Sequence, residues 1–176
     1  MKYLTNYKTY KRIFDLIFSL IIIFIGFPFF IIIILLIKFS SYGPIFFIQE
    51  RIGINKKKFR CIKFRTMHPE AEDILNKLLS ENESIRDEFL RDHKIKNDPR
   101  ITPIGKILRR TSLDELPQLL NVIKGDMSIV GPRPIVSEEI KKYGSKINFV
   151  LSIRPGLTGL WQVSGRNKLS YYKRVQ

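Results

Sequence analysis

An uninterrupted apolar segment near the start of the chain dominates its hydrophobic pattern. Leu16 to Ile37 runs 22 residues without a charge. As a straight helix the segment would be about 33 Å long, enough for a hydrocarbon core of about 30 Å. A cleaved signal peptide would have a shorter apolar core followed by small residues, whereas Lys38-Phe39-Ser40-Ser41 follows here. The pattern therefore predicts a membrane helix.

Two features bear on whether this helix spans the membrane or enters it and turns back. Pro28 lies in its middle and lacks a backbone donor, so a kink is expected there. Cations flank both ends, at Lys2, Lys8, Lys11 and Arg12 before it, and at Lys38, Arg51, Lys56, Lys57 and Lys58 after it. Because Lys and Arg are enriched on the cytoplasmic side of membrane segments, a helix broken at Pro28 with both ends on that face fits best. A spanning helix with an ordinary proline stays open as the alternative.

Asp15 lies at the polar boundary of the apolar segment, close to two cations. A carboxylate at this depth is costly unless it is paired. We expect it to pair with Lys11 or Arg12 and so to fix the angle at which the helix enters the membrane.

The rest of the chain alternates between strand and helix patterns, which predicts an α+β fold with a small, mainly helical domain and short strands. The expected strands are Ile45–Ile48 and Phe59–Arg65 around a turn at Gly53–Lys57, and Met127–Val130. The expected helices cover Pro69 to about His93, Thr102 to Arg110, Asp114 or Leu116 to Lys124, and Ser137 to Lys142. A glycine-punctuated loop and strand is expected from Arg154 to Val163.

The charge is strongly basic and unevenly distributed. The chain has 31 Lys and Arg against 16 Asp and Glu, a net charge of +15, and a pI near 10.0. Residues 70–98 hold nine acids and five bases, so this amphipathic region is acidic and the remainder carries +19. The 13 Phe and the long apolar runs exclude disorder, and a single Cys excludes an internal disulfide. Anionic partners are expected: a membrane surface, nucleic acid or a phosphate ligand.

The candidate chemistry centres on Asp114 and Glu115. Ser112 and Glu115 have the spacing of a capping box, which is a structural interpretation of the same residues. Pro117 complicates it, because the helix then either kinks or begins nearer Leu116. In the functional interpretation the two carboxylates point about 100° apart, one towards a phosphorus and one towards a metal ion. Two histidines, His68 and His93, are expected at the surface.

Several cations suit a diphosphate ligand. Lys63 and Arg65 share one face of a predicted strand, Arg133 lies on the rigid turn Gly131–Pro134, and Arg109 and Arg110 precede the carboxylates.

Ordered motifs then show a family resemblance over nearly the whole chain. They are Lys11-Arg12-Ile13-Phe14-Asp15, Gly43-Pro44-Ile45-Phe46-Phe47, Gln49-Glu50-Arg51-Ile52-Gly53, Lys63-Phe64-Arg65-Thr66-Met67, Asp98-Pro99-Arg100-Ile101-Thr102, residues 112–118, 125–134 and 154–159. With these motifs the chain resembles the bacterial sugar transferases, the monotopic polyprenyl-phosphate hexose-1-phosphate transferases.

The resemblance implies transfer of a sugar-1-phosphate from a UDP-sugar to undecaprenyl phosphate with release of UMP. It implies Asp114 as the nucleophile, Glu115 as the Mg²⁺ ligand, and Lys63, Arg109 and Arg133 as phosphate or nucleotide ligands. Arg65, Arg110 and Arg154 complete the candidate substrate-binding set. The acidic insert, Asn97–Arg100 and Glu138–Gly144 are most similar to the galactose-1-phosphate branch.

The expected organisation is a cationic segment at 1–12, a re-entrant membrane helix with Arg12, Asp15 and Pro28 at 13–39, and a catalytic domain at 40–176. That domain is short at its C-terminus relative to the family, so a fragment is one expectation. The implied location is the cytoplasmic face of the bacterial inner membrane. Expected partners are its lipids, both substrates, downstream glycosyltransferases and a second copy in a homodimer, with no nucleic acid. A membrane-anchored nucleic-acid binder or a non-catalytic scaffold are the alternatives left open.

Overall fold

A computed structural model describes residues 2–92 and 95–159 of the chain. The helices are α1 (Lys2–Ser40), α2 (Ala71–Glu81), α3 (Glu83–Asp92), α4 (Pro103–Thr111), α5 (Gln118–Lys124), α6 (Ile140–Tyr143) and α7 (Ile147–Val150). The strands are β1 (Phe46–Ile52), β2 (Lys58–Phe64), β3 (Ser128–Val130) and β4 (Gly156–Thr158). Short 3₁₀ turns lie at Ile54–Lys56, Leu113–Glu115, Ser137–Glu139 and Gly144–Lys146. The predicted α+β class, with a long apolar helix before a helical body with short strands, is confirmed.

The chain forms two compact units. In the described residues the first unit comprises 2–28, 48–63 and 115–159, and the second comprises 29–47 and 64–114. The chain passes between them four times, after Pro28 in the middle of α1 and after Phe47, Lys63 and Asp114.

Helix α1 exposes most of its apolar side chains. Phe24 is 84% exposed and Ile25 is 73% exposed, and the stretch Tyr7–Ser40 is long and apolar enough to cross a membrane. Polar Asp15 and Ser19 are buried instead, one turn apart on the same helix face. A helix on the surface of a soluble protein exposes its polar side chains and buries its apolar ones. Helix α1 does the opposite, which is consistent with lipid around it.

The strand predictions hold, and β1 continues four residues further than expected, to Ile52. Strands β1 and β2 pair across a five-residue connection. Of the residues of β1, Arg51 and Ile52 are buried, and Ile52 packs with Ile135 and Leu151 in the core of the first unit. Burial of the Ile52 side chain in this cluster stabilises β1 in its longer form.

The amphipathic region from Pro69 to Asp92 is two helices. Asn82 interrupts it with an extended backbone conformation, and its amide donates to the Leu78 carbonyl to close α2. The predicted apolar stripe is half-buried, except for Leu90, which is 66% exposed. His93 lies outside the described residues, and His68 is half-buried, deeper than the surface position expected of it.

The helix signals around the candidate carboxylates are partly confirmed. Thr102 caps α4, accepting from the Gly105 amide at 2.9 Å, and Gly125 ends α5 in the left-handed conformation with φ 92°. The capping-box interpretation of Ser112 is wrong, because this residue ends α4 with φ 62° instead of opening the next helix. Regular helix begins only at Gln118, after Pro117, which leaves Asp114 and Glu115 on the 3₁₀ turn before it.

Strands β3 and β4 form a parallel pair with Ser128 opposite Gly156 and Val130 opposite Thr158. The strand expected after Arg154 is therefore present at Gly156–Thr158. The part of that prediction from Leu160 to Val163 lies outside the described residues.

Candidate active site

In the first unit, Asp15 is the centre of a buried polar network at the start of the apolar helix. It is 3% exposed and forms an ion pair with Lys11, as predicted. Lys11 Nζ also donates to Ser128 Oγ at 2.6 Å, and that hydroxyl donates to Asp15 Oδ2 at 2.8 Å. The Ile129 amide donates to Asp15 Oδ1 at 3.1 Å. A charge at the polar boundary is thus fully paired and attaches α1 to β3.

Arg12 attaches the same end of α1 to helix α5. Its Nη1 donates to the Val122 carbonyl, and its Nη2 donates to the Ile123 carbonyl at 2.8 Å. Both carbonyls belong to the last turn of α5, and that of Val122 also accepts from the amide of Gly125, the residue that ends this helix. A cation there also suits the negative end of the helix dipole.

In the second unit, Arg65 holds the other end of α1. It is 6% exposed, and its Nη2 donates to the carbonyls of Ser41 at 2.8 Å and Ile37 at 3.5 Å, while Nη1 donates to that of Tyr42. Burial lowers the pKa of Arg65 from its ordinary value. Arg65 therefore caps the end of the membrane helix, and its additional role as a substrate ligand stays a prediction.

Asp114 and Glu115 lie on the 3₁₀ turn Leu113–Glu115. The turn is positioned by the left-handed Ser112 before it and by Pro117, which precedes α5. In a 3₁₀ turn consecutive side chains point about 120° apart, so the two carboxylates face different directions. Both are half-buried, which leaves each accessible to a ligand.

In the first unit, Glu115 is paired with Lys63. Lys63 Nζ lies 2.6 Å from Glu115 Oε1, and the two side chains are 22% and 31% exposed. The pair joins residues 52 positions apart in the chain. It brings a predicted phosphate ligand to the predicted metal ligand.

Asn121 attaches α5 to β2 next to Lys63, and sequence reasoning missed it. It is 1% exposed, and its side chain replaces a strand partner for β2, accepting from the Ile62 amide at 3.1 Å and donating to the Arg60 carbonyl at 2.7 Å. The signal in the sequence is a second amide side chain three positions after Gln118 in a short helix, and the structure buries both. A buried amide requires hydrogen-bond partners.

In the second unit, Arg109 interacts electrostatically with Asp114. Burial lowers the pKa of Arg109, while the charges of Asp114 and Asp98 raise it. Its Nε donates to Thr66 Oγ1 at 2.8 Å. A Cβ at Gly105 would overlap the Thr66 carbonyl, so only glycine lets α4 approach Thr66 this closely. Arg110 is exposed at the end of α4.

The cations of the C-terminal motifs both lie in the first unit. Arg133 is exposed on the turn between β3 and the following 3₁₀ turn. Arg154 is also exposed, and its Nε donates to the Gly125 carbonyl at 2.8 Å.

The residues present fit a metal that arrives with its ligand rather than one held in a protein cage. Among the described residues no group of three or more His, Cys, Asp or Glu side chains could hold a metal ion. Mg²⁺ is commonly held by one or two carboxylates together with substrate phosphates and water. The half-buried carboxylate of Glu115 satisfies that requirement.

A long apolar helix and a turn with two half-buried carboxylates, one of them paired with Lys63, are consistent with an enzyme that transfers a phosphorylated group at a membrane. The chain belongs to the bacterial sugar transferase family, whose sequence profile matches residues 6–176. The predicted resemblance is thereby confirmed, and the protein is a sugar-phosphate transferase.

Three relatives illustrate the range of the family. The chain is 47% identical over 165 residues to the exopolysaccharide production protein ExoY of Rhizobium meliloti, covering 94% of this chain and 73% of that protein. It is 48% identical over 166 residues to the undecaprenyl-phosphate galactose phosphotransferase of Salmonella typhimurium, covering 94% of this chain but 34% of that protein. It is 35% identical over 166 residues to the uncharacterized sugar transferase EpsL of Bacillus subtilis, covering 94% of this chain and 74% of that protein.

Proposed function

We propose that the protein moves a hexose-1-phosphate from a UDP-sugar to undecaprenyl phosphate and releases UMP, in the first membrane step of surface glycan synthesis. The relatives support the lipid and sugar classes, since their names include undecaprenyl-phosphate galactose phosphotransferase and UDP-galactose-lipid carrier transferase. The observation that carries the proposal is the turn Leu113–Glu115, which presents two accessible carboxylates in different directions with Lys63 bonded to Glu115. Galactose is favoured among the hexoses.

In the first step the Asp114 carboxylate attacks the phosphorus that bears the sugar. A bond forms between a carboxylate oxygen of Asp114 and this phosphorus, and the phosphorus–oxygen bond to UMP breaks, so UMP leaves with the electron pair. The charges of Arg109 and Asp114 attract each other, and the ionised carboxylate is the form that attacks phosphorus. Lys63 and Arg133 bind the diphosphate and offset the charge that builds up on its oxygens.

In the second step a phosphate oxygen of undecaprenyl phosphate attacks the same phosphorus. A new phosphorus–oxygen bond forms, the bond to Asp114 breaks, and the carboxylate is regenerated. Mg²⁺ held by Glu115 would neutralise phosphate charge when bound. Attachment of α1 to β3 and α5 connects the first unit, which contains Lys63, Glu115 and Arg133, to the apolar helix.

We further propose that α1 is re-entrant and that the catalytic part lies on the cytoplasmic face of the inner membrane. Arg12 bonds to α5, and Asn121 of α5 bonds to Ile62 of β2. Arg65, which follows β2 and bonds to the Ile37 carbonyl, is three positions after Ile62, about 10 Å of extended chain. The hydrocarbon core is about 30 Å thick, so a spanning helix would require Ile62 and Arg65, only three positions apart, to lie on opposite faces.

Cysteine labelling tests this topology. In a Cys61→Ala background we expect Lys8→Cys and Ser40→Cys, both at exposed positions on either side of the apolar segment, to react with a membrane-impermeant maleimide only after spheroplasts are lysed. Lys57→Cys, on the exposed turn of the β1–β2 hairpin, marks the side of the catalytic part. Reaction of Lys8→Cys in intact spheroplasts, with Lys57→Cys protected, would establish a spanning helix instead.

UMP release tests the reaction itself. Purified protein in lipid nanodiscs with undecaprenyl phosphate is expected to release UMP from UDP-galactose faster than from UDP-glucose or N-acetylated UDP-sugars. Without undecaprenyl phosphate, release is expected to stop after about one equivalent, since a covalent intermediate accumulates. Absence of UMP release with every UDP-sugar, together with salt-sensitive binding to duplex DNA, would favour the nucleic-acid alternative.

The ion pair between Lys63 and Glu115 predicts an effect on metal binding. Lys63→Met removes the cation from Glu115, so Mn²⁺, a spectroscopic substitute for Mg²⁺, is expected to bind about tenfold more tightly, the size of effect one neighbouring charge has on a carboxylate. UMP release is expected to fall, because a phosphate ligand is lost. Lys58→Met removes the same charge from the exposed pair with Glu50 on this hairpin and serves as the control. Equal Mn²⁺ affinities of the two variants by electron paramagnetic resonance would contradict the prediction.

A further inference from the structure

The motif Gln49–Gly53 has no part in the proposed chemistry, yet it contains a buried arginine. Arg51 is 9% exposed at the buried end of β1. An arginine in the interior requires partners for its five donors, or its burial costs free energy. Where those donors point therefore indicates what Arg51 is for.

Arg51 donates into the turn that carries Arg133. Its Nη1 donates to the Pro134 carbonyl at 3.2 Å, directly after Arg133 in the chain. Its Nη2 donates to Gln49 Oε1 at 2.6 Å, and the carboxylate of Glu139 lies 4.0 Å from Nη1. Within the described residues, Arg51 Nε is buried and has no hydrogen-bond partner.

Backbone hydrogen bonds hold the same turn from both sides. The Gly156 amide donates to the Pro132 carbonyl at 2.7 Å, on the other side of Arg133. The Ile52 amide donates to the Ile135 carbonyl at 2.9 Å, and both of these side chains are buried in the core of the first unit. The carbonyls immediately before and after Arg133 are therefore both fixed, one by β4 and one by Arg51.

The charges of Arg51 and Arg133 interact. Burial lowers the pKa of Arg51, and the charge of Arg133 lowers it further, whereas Glu139 and Glu115 raise it. Two guanidinium groups repel each other, and an anion bound near both would reduce that repulsion. The arrangement gives an exposed arginine a rigid backbone and a second cation beside it.

We propose that Arg51 is a positioning residue for Arg133: through the Pro134 carbonyl it fixes the turn Gly131–Pro134, and so holds Arg133 in place to bind the diphosphate of the sugar nucleotide. This inference rests on the proposed function only for the identity of the anion. The positioning itself follows from the contacts of Arg51 within the first unit.

A double-mutant cycle with UDP as the probe tests the proposal. Arg51→Met keeps the aliphatic bulk but removes the hydrogen bonds and the charge, and it is expected to weaken UDP binding by about tenfold to a hundredfold, the cost of a misplaced ligand group. Arg60→Met removes an exposed arginine from the same hairpin and is expected to leave UDP affinity unchanged. In an Arg133→Met background, Arg51→Met is expected to have little further effect, since its role is exerted through Arg133.

Calorimetric titration of the full chain in nanodiscs with UDP gives all four affinities of the cycle. Multiplication of the two single effects in the double variant would overturn the proposal, as would an Arg51→Met affinity equal to that of Arg60→Met. UDP binding by wild-type protein without UMP release would contradict the proposed function while the coupling stays measurable. Wild-type protein that does not bind UDP at all would overturn the inference drawn here.

Hydrogen exchange separates positioning from general destabilisation. The Gly156 amide, which donates to Pro132, is expected to exchange faster in Arg51→Met but not in Arg60→Met, while the amides of α4 keep their wild-type rates. If Arg51→Met does not fold, Arg51→Lys serves instead. It retains the positive charge but loses the paired donors of the guanidinium group, and its UDP affinity is expected to lie between those of wild type and Arg133→Met. Wild-type UDP affinity in Arg51→Lys together with unchanged exchange at Gly156 would contradict a positioning role.

Discussion

Asp114→Asn is expected to abolish the covalent phosphosugar adduct and to lower UMP release by roughly 10⁴-fold or more, the range found when a covalent nucleophile is removed. The amide has nearly the shape of the carboxylate but no charge with which to attack phosphorus. Arg109, whose pKa is raised by the charge of Asp114, loses that partner but keeps its bond to Thr66. Folding should therefore be retained while the chemistry is lost.

The adduct is measured with a UDP-sugar labelled on the phosphate next to the sugar, in the absence of lipid acceptor. Wild-type protein is expected to retain about one label per chain, and hydroxylamine should release it, as it does from acyl phosphates. Asp87→Asn, at an exposed position on α3, provides the same chemical change as a control and should label normally. An adduct of normal yield in the Asp114→Asn protein would show that another residue is the nucleophile.

Asp98→Asn is expected to lower the free energy of unfolding by about 3–5 kcal/mol, the cost of leaving one member of a buried ion pair without its partner. Asp98 and Arg100 are 6% and 9% exposed. Arg100 Nη2 lies 2.6 Å from Asp98 Oδ2, and Arg100 Nε lies 2.8 Å from Oδ1. The Arg100 guanidinium also lies 5.7 Å from the centre of the Phe89 ring. Removing the carboxylate charge would leave this guanidinium buried and uncompensated in the second unit.

The effect should depend on pH in a defined direction. Burial alone would raise the pKa of Asp98, but the hydrogen bonds and charge of Arg100 outweigh it and hold the pKa below its ordinary value of 3.8. A carboxyl group whose pKa is lowered on folding stabilises the protein above its unfolded pKa and loses that contribution as the pH falls through the folded one. The difference between wild type and Asp98→Asn should thus be constant above pH 3.8 and shrink below it.

Thermal and chemical unfolding in detergent over a pH series measures this difference. Glu50→Gln removes the charge from the exposed pair with Lys58 and is the matched control, since solvent screens such a pair. Little change in that variant together with a large change in Asp98→Asn is expected. A pH-independent difference, or equal effects of the two substitutions, would contradict the assigned role of the buried pair.

The features that sequence reasoning predicted well are those encoded by neighbouring residues. The apolar segment, the alternation of β2, the Thr102 cap and the Gly125 terminus each depend on patterns a few residues long. The pairing of Asp15 with Lys11 was predictable for the same reason, because residues four apart face each other on a helix. The capping-box interpretation failed at Ser112, where the spacing is right but the preceding helix continues up to that residue and ends there.

The sequence by itself determined the long apolar helix and the hairpin, since hydrophobic periodicity and local turn chemistry specify them. It left open whether the helix that contains Asp114 and Glu115 kinks at Pro117 or begins nearer Leu116, and the structure places both carboxylates on the turn before α5. Only the tertiary structure decided which distant residues meet: Lys63 with Glu115, Asp15 with Ser128, and Arg51 with Pro134. These contacts join residues 52, 113 and 83 positions apart, and no local pattern records such partners. These long-range contacts depend on how the strands and helices pack. The packing directs some cations, such as Arg51, to backbone carbonyls and leaves others, such as Arg133, exposed.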